Sequence, residues 1–94
     1  MDIQITFHQM DSTEAIKDYC HTKMNKLTKY YSKITSIKVT LEVIKLEHHI
    51  SAVVALPQRG VVKAQASAKQ DMYAAIDAVL DKLERQLTDY KEQH

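Results

Sequence analysis

Hydrophobic and polar positions alternate with a period of two from Ile3 to His8, placing Ile3, Ile5 and Phe7 on one side and Gln4, Thr6 and His8 on the other. That is the pattern of a half-buried strand. Beyond Gln9 the period lengthens. Ile16, Cys20, Met24, Leu27, Tyr31 and Ile34 fall within roughly 80° of one another on a helical wheel, which predicts one helix with a single buried stripe, closed by Tyr30 and Tyr31. Asp11 and Glu14 have the spacing of a capping box at its start. From Ser36 the period returns to two, with Ile37, Val39, Leu41 and Val43 opposite Lys38, Thr40 and Glu42. His48-His49 reads as a break, after which Ile50, Ala52, Val54 and Leu56 predict a third strand. Pro57-Gln58-Arg59-Gly60 holds the chain's single Pro and single Gly and predicts a hairpin turn. The fourth strand, 61–68, turns Val62, Ala64, Ala66 and Ala68 to one side, small enough to admit a helix closely. Asp71 caps a final helix along which Met72, Ile76, Val79, Leu80, Leu83, Leu87 and Tyr90 recur at three and four.

The order is therefore β-α-β-β-β-α. Two helices with one apolar stripe each, and strands with one apolar face each, predict an α+β fold in two layers: a four-stranded mixed sheet carrying both helices on one face, its other face wet. A helix between the first two strands makes them parallel through a right-handed crossover, and hairpins make the later ones antiparallel. The 94 residues leave room for one core, so 1–94 reads as a single domain.

Composition narrows the function. The longest apolar run, Ala52 to Leu56, is far too short to cross a bilayer. The first residues have neither the basic nor the apolar segment of a secretion signal, and a lone cysteine forms no internal disulfide, so a cytoplasmic protein is expected. A single glycine excludes the glycine-rich loops that cradle nucleotide phosphates. The histidines, His8, His21, His48, His49 and His94, lack metal-ligand spacing; His48 and His49 point to opposite faces of an extended chain. Cys20 lies on the buried stripe with no activating partner. Asp77, Asp81 and Glu84 form a solvated helix face rather than a catalytic set. No cofactor, metal or small-molecule substrate is expected.

The net charge of +1 conceals a strongly basic centre: between residues 23 and 69 nine bases meet only Glu42 and Glu47, while both ends are acidic. Within that centre Lys23, Lys26, Lys29 and Lys33, spaced three, three and four, share one flank of the predicted helix. Ammonium groups about one helical turn apart can each neutralise a backbone phosphate; equally, such a flank can be merely solvated. Lys82 and Arg85 would extend the row from the second helix, or pair with Asp81, Glu84 and Asp89. Tyr31 is read as core, and Tyr30 and Tyr73 as lying at its margin.

Gln70-Asp71-Met72-Tyr73-Ala74-Ala75-Ile76-Asp77, followed by Asp81-Lys82-Leu83 and Arg85-Gln86-Leu87, resembles the ribosome hibernation promoting factor family. Thr13-Glu14-Ala15-Ile16, Lys23, Lys26-Leu27, Tyr30 and Ala66-Ser67-Ala68 agree with it, so the likeness spans essentially the whole chain. It implies a fold similar to double-stranded-RNA-binding domains and a non-enzymatic role. Such proteins dock on the small ribosomal subunit, against 16S rRNA, where mRNA and the A- and P-site tRNAs would lie, and translation stops in slow growth or stationary phase. Ending at His94 without a tail, the chain resembles the short type that favours pairing of idle ribosomes, with a separate ribosome modulation factor completing the pairing. The family's basic contacts carry over to Lys23, Lys26, Lys33, Lys82, Arg85 and Lys91, with Lys29 as an addition. Asp89 and Glu84 depart from the pattern and shift the expected contact toward the first helix. The other reading open to the residues is a protein-interaction adaptor using the exposed sheet face or an edge.

Overall fold

Periodicity becomes structure in the expected order. A computed structural model describes residues 1–93. It comprises strand β1 (Asp2–His8), helix α1 (Glu14–Asn25), a 3₁₀ turn (Lys26–Lys29), strands β2 (Ser36–Ile44) and β3 (Glu47–Ala55), a short turn (Pro57–Arg59), strand β4 (Val61–Ala68) and helix α2 (Met72–Gln93). The strands lie side by side in sequence order; β1 and β2 are parallel, and the β2–β3 and β3–β4 pairs are antiparallel. One apolar layer joins Ile37, Val39 and Leu41 of β2, Ile50, Ala52 and Val54 of β3, and Val62 and Ala64 of β4 to Cys20 and Met24 of α1 and Met72, Ile76, Val79, Leu83 and Leu87 of α2. Among the described residues no polar residue is fully buried, although Nδ1 of the half-buried His48 is shielded from solvent without a hydrogen-bond partner. Both helices thus cover one face, and the small side chains Ala64, Ala66 and Ala68 lie against that core beneath α2.

Several local expectations are corrected. Thr13, not Asp11, caps α1: its Oγ1 accepts from Ile16 N–H at 3.2 Å. Asp71 does cap α2, its Oδ1 accepting from Ala74 N–H at 2.9 Å. The α-helix stops at Asn25 rather than continuing to Tyr31. There Thr28 Oγ1 donates to Asn25 O at 2.9 Å and the Lys26 N–H turns back to Lys23 O, tightening the chain to three residues per turn. Leu27 and Ile34 are still delivered to the core. His48 and His49 form no break either. They lie inside β3, and the reversal sits earlier, at Lys45 and Leu46, with φ of 50° and 68°. This is a two-residue hairpin turn built without its usual Asn or Gly.

The β3–β4 turn is also unusual, because the left-handed residues are Gln58 (φ 60°) and Arg59 (φ 66°) while Gly60 has φ −68°. Glycine is needed at 60 for space: a Cβ there would run into the Tyr90 hydroxyl and approach Leu56 Cβ to 3.1 Å. Tyr90 in turn meets Tyr31 edge to face, centroids 5.6 Å apart, so the end of α2 is seated on this turn.

Candidate nucleic-acid interface

The lysines at the end of α1 do not form a straight row. Lys23 occupies the last turn of α1, Lys26 and Lys29 bracket the 3₁₀ turn, and Lys33 lies beyond it in the connection to β2. The tighter winding eclipses Lys26 and Lys29, which are three residues apart. The chain then bends, and Lys29 and Lys33 come to line one groove of about 300 Å³ with Thr28, Tyr30, Tyr31, Ser32 and Lys91 of α2. Three of the seven basic candidates, drawn from two helices and a loop, therefore converge beside aromatic rings. Tyr30 forms the wall between this groove and a second one of about 380 Å³, where Arg85 faces Asp81, Glu84, Thr88 and Asp89. Arg85 thus stands among the acids expected from the sequence, with Asp81 exposed and Glu84 half-buried along the same side of α2.

Lys23 and Lys82 are held individually. The Lys23 ammonium lies 5.2 Å from the centroid of the Tyr19 ring, a cation–π contact across one helical turn. Tyr19 is the residue the sequence reading passed over. Its hydroxyl donates to Asp77 Oδ1 at 2.6 Å, and its ring meets Tyr73 edge to face at 4.9 Å, so it ties α1 to α2 directly behind Lys23. The hydrogen bond to Asp77, helped by desolvation and the carboxylate's charge, pushes the phenol up to about 12. The signal available in the sequence was the i,i+4 spacing of Tyr19 with Lys23 and of Tyr73 with Asp77.

Lys82 does not pair with a neighbouring acid. It reaches the sheet edge, where its Nζ donates to Gln65 O at 2.6 Å, and Gln86 Nε2 donates to Lys63 O at 2.8 Å. Both satisfy outward-facing carbonyls of β4 and cover that edge. Lys26 is exposed, as are Lys29, Lys33, Arg85 and Lys91.

The remaining polar groups lie elsewhere. On the open sheet face His8 Nδ1 contacts Glu42 Oε2 at 2.8 Å and His49 Nε2 lies 3.7 Å from Glu47 Oε1. Thr40, Ser51 and Gln65 continue this polar floor into a shallow hollow of about 510 Å³. His48 points to the helix side, opposite His49, as an extended chain requires. Cys20 is fully buried, and desolvation raises its thiol to about 12. His94 lies outside the described residues.

The fold and this surface define a small two-layer binding domain, with ammonium groups and a tyrosine ring around open grooves suited to holding a phosphate backbone. Residues 3–94 match the family described as sigma 54 modulation protein / S30EA ribosomal protein. Ribosome hibernation promoting factors from Azotobacter vinelandii and Salmonella typhimurium are each 42% identical to this chain across 98% of it, covering 84% and 95% of their own lengths. The Escherichia coli K12 factor is 39% identical over the same share of the chain and 95% of its own. A ribosomal subunit interface protein from Coxiella burnetii superposes with a TM-score of 0.90 at 32% identity, covering 98% of this chain and 99% of its own. The N-terminal domain of Thermus thermophilus Protein Y gives 0.84 at 30%, covering 96% and 99%. The chain belongs to the ribosome hibernation promoting factor family, whose members are non-enzymatic, ribosome-binding regulators of translation.

Proposed function

We propose that this protein is a cytoplasmic hibernation factor that docks on the small ribosomal subunit where mRNA and the A- and P-site tRNAs lie, silences translation in slow growth and favours pairing of idle ribosomes. A separate ribosome modulation factor completes that pairing. The observation that carries the reading is the convergence of Lys29, Lys33 and Lys91 on one groove beside Tyr30. Phosphates of 16S rRNA bind there, with Lys26 and the ring-supported Lys23 continuing the contact along α1. Arg85 contributes less because Asp81, Glu84 and Asp89 surround it, and Lys82 less because its ammonium is already engaged at Gln65 O. The chemistry is backbone neutralisation and steric occlusion, without base readout.

Co-sedimentation with ribosomes across a salt series tests this. If all three groove lysines reach phosphates, replacing Lys29, Lys33 and Lys91 by Gln lowers the slope of log affinity against log salt by roughly 2–3 units. Replacing Lys82 by Gln changes it less per charge removed. A slope unmoved by the triple substitution, or a larger effect from Lys82 alone, refutes the assignment. Affinity insensitive to salt favours an apolar adaptor instead.

A further inference from the structure

The two edges of the sheet are treated differently. On β4 the outward carbonyls of Lys63 and Gln65 accept hydrogen bonds from Gln86 and Lys82. Among the described residues no side chain does the same for β1, an edge of seven residues, Asp-Ile-Gln-Ile-Thr-Phe-His, without the lysine, proline or bulge that ordinarily blunts such an edge. Which groups it presents follows from its pairing. Asp2 N–H donates toward β2, to Thr35 O. In a parallel ladder the bonds inward then belong to Asp2, Gln4, Thr6 and His8, so the N–H and C=O groups of Ile3, Ile5 and Phe7 point outward. The same three residues are only half-buried, whereas their β2 partners Ile37, Val39 and Leu41 are 0%, 1% and 0% exposed. Unused backbone groups and incompletely covered apolar side chains therefore coincide on one strand.

We propose that the β1 edge is a self-association surface, taking the β1 strand of a second copy of this chain in antiparallel register about a twofold axis at Ile5. That register is self-complementary. Ile5 faces its own copy and Ile3 faces Phe7, so all six outward backbone groups of each copy are satisfied and the half-buried side chains cover one another. On the open face Gln4 meets Thr6, and Asp2 meets His8, an acid against the imidazole whose Nδ1 already contacts Glu42. The result is a continuous eight-stranded sheet with closed symmetry. One strand edge buries less than about 1,200 Å² in total, so the association is weak and concentration-dependent.

The register yields a specific cross-link. In the twofold pair Gln4 and Thr6 form a non-hydrogen-bonded pair with Cα atoms about 4.5 Å apart, within disulfide reach. Gln4 to its own copy, and Thr6 to its own copy, are diagonal neighbours about 7–8 Å apart, beyond that reach. Both side chains are exposed, so Gln4→Cys and Thr6→Cys leave the core untouched, and Cys20 stays in place because it is buried. Under mild oxidation at millimolar concentration, a mixture of the two variants forms the disulfide-linked dimer, while either alone does not. The wild-type protein shows a mass rising toward twice the monomer in sedimentation equilibrium from micromolar to millimolar concentration. A monomer throughout, as expected if the edge instead takes a strand from a different protein, overturns the proposal. Cross-linking in the single variants as readily as in the mixture overturns it too. No ribosome enters either measurement, so the outcome is independent of the RNA-binding reading.

Discussion

Replacing Gly60 by Ala sets two effects of opposite sign against each other. Gly60 has φ −68°, a conformation open to any residue, so the backbone alone favours the change: a less flexible unfolded chain is worth about 0.4–1 kcal/mol of added stability. The surroundings oppose it. The new methyl would run into the Tyr90 hydroxyl and come within 3.1 Å of both Tyr90 Cζ and Leu56 Cβ. Leu56 is 4% exposed, and Tyr90 is braced by Tyr31 at 5.6 Å, so neither yields freely. Overpacking of this kind costs about 1–3 kcal/mol, which exceeds the entropic gain. The expected net loss is about 1 kcal/mol, or about 4–8 °C in melting temperature for a domain of this size. Urea unfolding of wild type, Gly60→Ala, Tyr90→Phe and the double variant checks it. The nearest clashing atom is the hydroxyl, so the double variant should lose less than the sum of the singles, with a coupling of about 0.5–3 kcal/mol. A Gly60→Ala protein more stable than wild type would refute the close packing of α2 on this turn.

Leu83 is fully buried in mid-helix, and Leu83→Ala should cost about 2–5 kcal/mol in urea unfolding through the cavity it leaves. Leu46 is 89% exposed with φ 68°; Leu46→Gly should raise stability by about 1 kcal/mol by relieving the left-handed conformation. In ultraviolet titration the Tyr19 phenol should ionise only near pH 12, and Asp77→Asn should bring it earlier by removing the charged acceptor. Because its folded value lies above the unfolded one, the stabilisation is complete below about pH 10 and should be lost as pH rises through the folded value. Cys20, buried and with its thiol raised to about 12, should react with a thiol reagent at pH 8 only as fast as the protein opens, so labelling should accelerate in step with added denaturant.

Periodicity by itself determined the element order, the buried stripe of α1 and the core face of every strand, because a period of two or 3.6 is a property of local geometry that the chain carries without its neighbours. Asp71 was legible as a cap for the same reason. Where local signals compete, the pattern was insufficient. The stripe from Ile16 to Ile34 continues through the change from α-helix to 3₁₀ turn, since Leu27 reaches the core in either winding, so only the hydrogen bonds around Asn25 and Thr28 reveal where the helix stops. That one change bends the lysine row and brings Lys29 and Lys33 to Lys91, a residue far away in sequence. The role of Lys82 was equally hidden: a charge among acids on a helix reads as a surface pair, and only the closeness of α2 to β4 offers it a carbonyl instead. Gly60 read as a turn residue, but its indispensable property is the missing side chain beneath Tyr90. Contacts between residues distant in sequence depend on how the two layers seat against each other, and no short-range pattern records that distance.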